Sequence, residues 1–82
     1  MTIDLHIISP EGTLVQQEVS RVELPGAKGR FVVLKDHAPL ISSLVEGEIV
    51  FDIREDKDGV VPIRSGFVEV HDNKVVACVE TL

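Results

Sequence analysis

The 82-residue sequence predicts an all-β fold, a β-sandwich or barrel of short, mostly antiparallel strands. Hydrophobic residues make up 44% of the chain, and most of them are valine, isoleucine and leucine, a mixture that favours strands. Apolar and polar residues alternate in several short segments, as they do in half-buried strands. Turn-forming sequences separate these segments at the short intervals typical of sandwiches and barrels. A chain of this length is expected to form one domain, residues 1–82.

The first half of the chain begins with clear alternation. Ile3, Leu5 and Ile7 alternate with polar residues and predict the first strand. Ser-Pro-Glu-Gly at 9–12 predicts a turn, because Ser, Pro and Gly are common turn residues. Residues 14–24 are rich in strand-forming side chains and predict either two short strands or one bent strand. The next predicted elements are a loop at 25–29 and a strand at 30–34.

The second half is also predicted to consist of strands and turns, with 39–44 as the one possible helical stripe. Asp58-Gly59 favours a hairpin turn with positive φ within 55–59. The other predicted turns lie at 45–48 and 71–74. The predicted strands include 49–54, 61–63, 68–70 and 75–79. The residues expected in the core of this half are Val61, Ile63, Val68, Val70, Val75, Ala77 and Val79.

The charge and the termini exclude several classes of protein. A net charge of −6 argues against binding to a nucleic-acid backbone, which requires clustered Lys and Arg, and against attraction to anionic lipid. No apolar run is long enough to insert across a bilayer. The N-terminus lacks the basic and apolar regions of a signal peptide. The single Cys78 has no partner for an internal disulfide, which favours a reducing compartment.

The reactive side chains do not form a recognisable catalytic or metal-binding pattern. His6, His37 and His71 are far apart in sequence and lack metal-ligand spacing, and His6 and His71 are interpreted as solvated residues. Cys78 lies in an apolar segment and is expected to be a small buried thiol. The acids are scattered singly, and residues 25–29 lack the spacing of a phosphate loop. We therefore expect no catalytic residue, no metal site and no cofactor, and the residues alone indicate a binding or structural β-domain.

Two other functions remain open on the residues alone. Lys57 lies in the predicted acidic hairpin 54–60, and lipoyl or biotinyl carrier domains also present a modifiable lysine at a hairpin tip. Lys57 nevertheless lies past the middle of the chain, whereas those domains place their lysine near a central pseudo-symmetry axis. A carbohydrate-binding or adhesion-like sandwich is the other alternative. The absence of Trp and Tyr leaves such a module little material for an aromatic binding platform.

The segment "PGAKGRFVVLKDHAPLISSLVEGEI" at 25–49 resembles the epsilon subunit of the bacterial-type rotary proton-translocating ATP synthase. The family has a Gly-x-x-Gly loop, a short strand, a His-Ala-Pro-Leu segment and a Gly-containing turn in this order. The matching positions are Gly26 and Gly29, 31–34, 37–40, and Glu46-Gly47. The segment "SGFVEVHDNKVVACVE" at 65–80 is similar to the family's later strands, so the resemblance extends over essentially the whole chain.

The resemblance implies a flattened β-sandwich at the foot of the central stalk. Such a domain contacts the gamma subunit and the polar loops of the c ring, performs no chemistry itself, and couples proton flow to ATP synthesis as part of the rotor. The implied location is the cytoplasmic face of the bacterial inner membrane, or the stromal thylakoid face in a plastid. The protein would be a peripheral subunit there, without direct membrane insertion.

The resemblance also assigns expected contacts to individual residues. The expected c-ring contacts are Ala27, Lys28, Gly29, Arg30 and Phe31. The expected gamma contacts are Ser9, His37, Ala38, Pro39 and Leu40. Core packing is an equally good interpretation of Phe31 and Leu40. Because Pro39 biases Ala38 toward an extended conformation, His37 is interpreted as a docking residue on an ordered surface bend.

Two features depart from the family pattern. Many members continue into a C-terminal helical hairpin that inhibits hydrolysis or binds ATP, and this sequence ends at Leu82, where that hairpin would begin. Neither property is therefore expected of these residues. Members of the family also often carry acids at the ring-facing loop, whereas Lys28, Arg30 and Lys35 predict a local positive patch. We expect an acidic or neutral loop on the partner ring.

Overall fold

A computed structural model describes residues 2–54 and 57–82, with only the backbone described for Lys57, and every regular element in this range is a strand. The prediction of an all-β fold is confirmed. The described residues contain no helix long and apolar enough to cross a bilayer. The strands are β1 (Ile3–Ser9), β2 (Gly12–Val19), β3 (Arg21–Gly26), β4 (Gly29–Val33), β5 (Leu40–Leu44), β6 (Gly47–Arg54), β7 (Lys57–His71) and β8 (Lys74–Thr81).

The strands form one hydrogen-bonded sheet that folds over a shared core, as in a β-sandwich. Its order is β2-β1-β8-β7-β5-β3-β4, and β6 pairs with β3 and β7. Among the described strands, only the β1–β8 pair is parallel. The first half of β7 pairs with β6 and its second half with β5 and β8. The first layer is therefore β2, β1, β8, the second half of β7, and β5; the second layer is β4, β3, β6 and the first half of β7.

Alternation along the strands directs one side of each layer into the core. Ile3, Leu5 and Ile7 are fully buried, as their spacing predicts, and each such side chain contributes about 1.5–3 kcal/mol by leaving water. Leu24 and Ile49 supply buried side chains from the second layer. The seven residues predicted as core in the second half of the chain are confirmed, six as buried and Val61 as partly buried against the cluster.

Two of the predicted turns are confirmed, and one predicted loop is shorter than expected. Asp72 and Asn73 have φ values of 51° and 60° and form the two-residue turn between β7 and β8, as expected of a hairpin of this type. The predicted turn at 9–12 is confirmed between the end of β1 and the start of β2. The loop predicted at 25–29 is shorter, because Pro25 and Gly26 continue β3 and pair with β4.

Two local predictions are wrong. Asp58 and Gly59 do not form a turn but lie in β7, opposite Asp52 and Phe51 of β6; residues 55–56 of the predicted hairpin lie outside the described range. A Cβ on Gly59 would clash with Cζ of Phe51, so the aromatic ring occupies the space of a side chain there. The possible helical stripe at 39–44 is also wrong, because Leu40–Leu44 form β5 and pair with β7.

The prediction that Cys78 is buried is wrong as well. Cys78 is exposed, because its neighbours Ala77 and Val79 face the core and successive side chains of a strand point to opposite faces. An apolar residue on each side of a cysteine thus does not bury the cysteine in a strand. Cys78 lies instead on the outer surface of the first layer.

Candidate partner-binding surfaces

Apolar side chains form a row on the outer surface of the first layer. Ile8 pairs with Cys78 across β1 and β8, and Cys78 pairs with Phe67 across β8 and β7. Ile41 lies nearby on β5, and the exposed fractions of Ile41 and Phe67 are 75% and 64%. We call Ile8, Ile41, Phe67 and Cys78 the apolar face. Exposed apolar side chains that are contiguous in this way are a common mark of a protein-binding surface.

A cavity of about 610 Å³ lies at one end of the apolar face. Ser9 and Pro10 line it from the first turn, Ser43 from β5, and Gly66 and Phe67 from β7. A partner side chain that enters this cavity would meet mainly apolar walls. The cavity therefore extends the apolar face into a depression that a protruding side chain can fill.

The loop between β4 and β5 presents His37 at the opposite end of β5. The His37 amide donates a hydrogen bond to the Leu34 carbonyl at 3.2 Å. The His37 Nδ1 lies 2.7 Å from the Ala38 carbonyl oxygen. Because a carbonyl oxygen only accepts, Nδ1 carries the proton, and in the neutral ring Nε2 is left as an acceptor. Within the described residues Nε2 makes no hydrogen bond.

Two reciprocal hydrogen bonds join this loop to the β7–β8 turn. The Asp36 amide donates to Asn73 Oδ1 at 2.5 Å, and Asn73 Nδ2 donates to Asp36 Oδ1 at 3.1 Å. Asp36 has a φ of 65°, a left-handed conformation that Asp and Asn tolerate better than most residues. The hydrogen bond from Asn73 lowers the pKa of Asp36 below its usual 3.8, and the nearby Lys35 lowers it further. We call this pair the Asp36–Asn73 latch.

The structure does not bring the expected gamma contacts together. Ala38 and Pro39 are exposed beside His37, whereas Leu40 is partly buried and packs against the core. Ser9 lies at the other end of the layer and is buried. Its hydroxyl donates to the Gly12 carbonyl and accepts from the Glu11 amide, at 3.2 and 3.3 Å, so Ser9 orders the first turn.

The hairpin between β3 and β4 forms a second protruding surface. Its turn is Ala27 and Lys28, and the left-handed φ of 124° at Gly29 favours glycine there. The Ala27 amide donates to the Ser43 carbonyl at 3.0 Å, which fastens the turn to β5. We call Ala27, Lys28 and Gly29 the hairpin tip. Phe31, also expected to contact the c ring, is partly buried and packs against the core.

Arg30 is committed to contacts within the protein. Its Nε donates to Glu23 Oε2 at 2.8 Å, and its Nη2 donates to the Glu48 carbonyl at 2.9 Å. The hydrogen bond from Arg30 is the main cause that lowers the pKa of Glu23 below its usual 4.5. Arg30 therefore connects β4 to β3 and to β6.

The positive patch predicted from Lys28, Arg30 and Lys35 is wrong. Arg30 is paired with Glu23, and Lys35 lies 3.3 Å from the carboxylate of Asp36. Arg30 lies near the start of β4, whereas Lys35 follows the end of that strand. The two residues are well separated, because an extended chain advances about 3.3 Å per residue. Lys28 is exposed and has no ion pair within the described residues, so it is the accessible cation of the hairpin tip.

The other reactive side chains remain dispersed. His71 is exposed and its Nδ1 lies 3.3 Å from Asp72, as expected of a solvated residue. His6 is only 19% exposed, and its Nε2 lies 3.1 Å from Asp4 Oδ1 without hydrogen-bond geometry, so the solvated interpretation of His6 is wrong. The described residues contain no cluster of three or more His, Cys, Asp or Glu able to hold a metal ion. The Lys57 side chain, on which the carrier alternative depends, lies outside the described part of the chain.

The sequence matches the family described as the ATP synthase delta/epsilon chain, β-sandwich domain, over residues 2–82. A relative named ATP synthase epsilon chain from Desulfitobacterium hafniense is 41% identical over 80 residues, which are 98% of this chain and 60% of the relative. A relative of the same name from Campylobacter concisus is 40% identical, over 90% of this chain and 57% of its own length. The chain thus spans about 60% of these relatives. These comparisons do not favour the carrier alternative.

Two solved structures share the fold. One is the Euglena gracilis mitochondrial ATP synthase, solved as its OSCP, F1 and c-ring part, which contains a chain similar with a TM-score of 0.88 and 21% identity. The match covers 95% of this chain and 50% of that one. The other is the central stalk and c ring of the Tetrahymena thermophila mitochondrial ATP synthase, with a TM-score of 0.81, 16% identity, and coverage of 98% and 64%.

Proposed function

Because the chain belongs to the delta/epsilon-chain family of ATP synthases, we propose that it is a non-catalytic central-stalk subunit of a rotary ATP synthase. In this role it links the gamma subunit to the membrane c ring, and so helps to couple proton flow to ATP synthesis. Residues 1–82 act as one domain, and no cofactor takes part. The protein is a peripheral subunit of the membrane-bound complex, on the cytoplasmic face of the bacterial inner membrane or the stromal face of the thylakoid.

The apolar face is the observation that carries this proposal. Exposure of Phe67 and Ile41 to water costs an isolated subunit about 25 cal/mol for each Å² of apolar surface. A stalk partner that covers both side chains removes this cost. The cavity beside Phe67 can also accept a side chain that projects from the partner. We therefore propose that gamma covers the apolar face and continues toward His37, Ala38 and Pro39.

The hairpin tip is the proposed contact with the c ring. Ala27 and Lys28 project from the fold while the hydrogen bond from Ala27 to Ser43 and the contacts of Arg30 hold the hairpin in place. A contact that transmits torque needs such a fixed support, because a mobile loop would yield under load. The hairpin tip and the apolar face meet at Ser43, so both proposed partners act on one stiff unit.

Alkylation of Cys78 tests the proposed gamma contact directly. Cys78 is the single cysteine and lies in the apolar face, so its reaction with a maleimide should be fast in the free protein and slow in a complex with gamma. The control is a Val60→Cys, Cys78→Ser variant, because Val60 is exposed on the second layer. Its thiol should react equally fast with and without gamma.

Co-purification with gamma and the c ring tests the assignment as a whole. A folded sample should be recovered with both partners, and a folded sample that fails to bind either one of them would overturn the proposed function. Equal alkylation of Cys78 in the free and the gamma-bound protein would instead overturn only the choice of surface.

A further inference from the structure

On the basis of the proposed stalk function, we propose that the Asp36–Asn73 latch presets the docking loop 34–39, with Asn73 as its positioning residue. Asn73 does not belong to that loop. It lies 37 positions from Asp36 in the sequence, in the turn between β7 and β8. By holding Asp36, Asn73 fixes the direction in which the loop presents His37 beyond the end of β4.

The hydrogen bonds of the latch are specific for an amide facing a carboxylate. Asn73 accepts from the Asp36 amide through Oδ1 and donates to the Asp36 carboxylate through Nδ2. An ionised Asp36 can only accept at its side chain, so the amide group of Asn73 satisfies both groups of Asp36 at once. Hydrogen bonds that involve a charged group are stronger than neutral ones, which suits a contact exposed to solvent.

The backbone on both sides of the latch supports the same function. Asp36, Asp72 and Asn73 are the residues other than glycine with positive φ in the described chain, and the latch joins two of them. The turn is a short hairpin in the sheet, so Asn73 has a rigid base, whereas the loop 34–39 has no strand partner. The latch therefore transfers the rigidity of the sheet to the loop.

The fixed loop presents a defined chemistry to its partner. The hydrogen bond to Ala38 keeps the proton of the neutral imidazole on Nδ1, so Nε2 of His37 is left as an acceptor for a partner. The complementary group on gamma is a hydrogen-bond donor, such as a hydroxyl, an amide N–H, a lysine or an arginine. A loop preset in this arrangement loses less conformational entropy on binding than a free loop does.

The Asn73→Gly variant tests the latch without altering the turn. Glycine adopts positive φ readily, so β7 and β8 should stay paired while both hydrogen bonds of the latch are lost. We expect amide exchange at His37 to become about five- to tenfold faster, a change that corresponds to about 1–1.4 kcal/mol, within the range of a net hydrogen-bond contribution. Exchange at Val75, in the paired strand beyond the turn, should not change. Affinity for gamma should fall by a similar factor.

A swapped pair provides the rescue. Asn73→Asp alone places two carboxylates together and should loosen the loop as Asn73→Gly does. Asp36→Asn combined with Asn73→Asp restores both hydrogen bonds with the roles of the side chains exchanged, and should recover slow exchange at His37 and the affinity for gamma. A residue with only a general effect on stability would not be rescued by this exchange.

The outcomes separate the latch from the stalk function. Unchanged exchange at His37 in Asn73→Gly would overturn the positioning function, and so would faster exchange with full affinity for gamma. Weaker binding with unchanged exchange would overturn it too, because Asn73 would then contact gamma itself. If the unaltered protein binds no gamma, the proposed function is wrong, whereas the exchange measurements need no partner and still test whether the latch holds the loop.

Discussion

Arg30 donates its Nε–H to the carboxylate of Glu23 at 2.8 Å, along a diagonal of the β3–β4 hairpin. Diagonal neighbours of this kind lie within reach of long side chains. The same guanidinium reaches the Glu48 carbonyl, so a single side chain joins three strands beneath the hairpin tip. Arg30 thus supports the hairpin tip from below, and its charge is already paired with Glu23 within the fold.

The Glu23–Arg30 pair should make stability depend on pH in the acid range. Arg30 lowers the pKa of Glu23 below 4.5 in the folded chain. A carboxyl group with a lowered folded-state pKa stabilises the fold above its unfolded pKa, and this contribution disappears as pH falls through the folded value. We expect the urea midpoint of the unaltered protein to fall between about pH 5 and pH 3.

The Glu23→Gln variant shows how much of the stability lost in acid is due to the Glu23–Arg30 pair. Its urea midpoint should lie below that of the unaltered protein at neutral pH, and the two should converge in acid, where Glu23 is protonated. Asp36 also has a lowered pKa, so the variant should retain a smaller acid dependence. Glu80→Gln, at an exposed site, is the control with little effect at either pH. A difference between Glu23→Gln and the unaltered protein that stays constant with pH would contradict the pairing.

Charge reversal at Lys28 should weaken binding to the c ring without disturbing the fold. Lys28 is exposed in a two-residue turn, so Lys28→Glu meets no internal carboxylate among its described contacts. Opposite an acidic ring loop it creates a like-charge contact, and we expect roughly tenfold weaker binding. Titration of the detergent-solubilised ring at low and high salt measures this, because salt screens exposed charges.

Arg30→Glu is the contrasting variant. It removes three-strand support and places a second carboxylate against Glu23, so we expect a lower urea midpoint together with weaker ring binding. Lys28→Gln should fall between the unaltered protein and Lys28→Glu in ring affinity. Equal ring affinity of Lys28→Glu and the unaltered protein would contradict an acidic ring loop.

The sequence predicts the strands well where one face is apolar and the other polar, as at Ile3, Leu5 and Ile7. It fails where both faces carry apolar residues, because Cys78 between Ala77 and Val79 looks buried until the direction of each side chain is known. Phe67 is obscured in the same way by its apolar neighbours. Runs such as 7–8, 66–68 and 77–79 do contain the signal of a second apolar surface, since strict alternation would place polar residues there.

Contacts between distant strands lie beyond what local pattern can supply. Asp36 and Asn73 meet only because β5 pairs with β7 and β7 turns into β8, and no periodicity in the sequence reports that arrangement. Arg30 is similar: its charge is visible in the sequence, but its commitment to Glu23 depends on the register of β3 against β4. The predicted positive patch was wrong for this reason.

A Cβ at Gly66 should destabilise the first layer. It would lie 2.5 Å from the Cys78 carbonyl oxygen and 3.0 Å from Cα of Val79, and these are backbone atoms of the paired strand that cannot rotate away. We expect Gly66→Ala to lower the free energy of unfolding by about 1–3 kcal/mol, as overpacking does. Urea denaturation measures it.

Ser65→Ala is the matched control for Gly66→Ala. Ser65 is the exposed neighbour of Gly66 in β7, and a surface substitution of this kind usually changes stability by less than about 0.5 kcal/mol. Equal urea midpoints for Gly66→Ala and Ser65→Ala would show that the strand pair can shift to accept a methyl group, contrary to expectation.

Removal of the aromatic ring from the apolar face should cost binding and spare the fold. Phe67 is 64% exposed, so Phe67→Thr, which keeps a residue favoured in strands, should change the free energy of unfolding by less than about 1 kcal/mol. Aromatic anchors at the centre of an interface typically carry 2 kcal/mol or more, so affinity for gamma should fall roughly thirtyfold.

Val60→Thr is the control on the opposite layer. Like Phe67→Thr, it replaces an exposed strand residue with threonine, but Val60 lies outside the apolar face. Gamma affinity should therefore not change. Calorimetric titration of gamma with each variant, beside urea denaturation of each, separates binding from folding. If Val60→Thr weakens gamma binding as much as Phe67→Thr does, gamma docks on the second layer or the loss is general. If neither variant weakens it, the apolar face is not the docking surface, and the exposed Phe67 needs another partner to explain it.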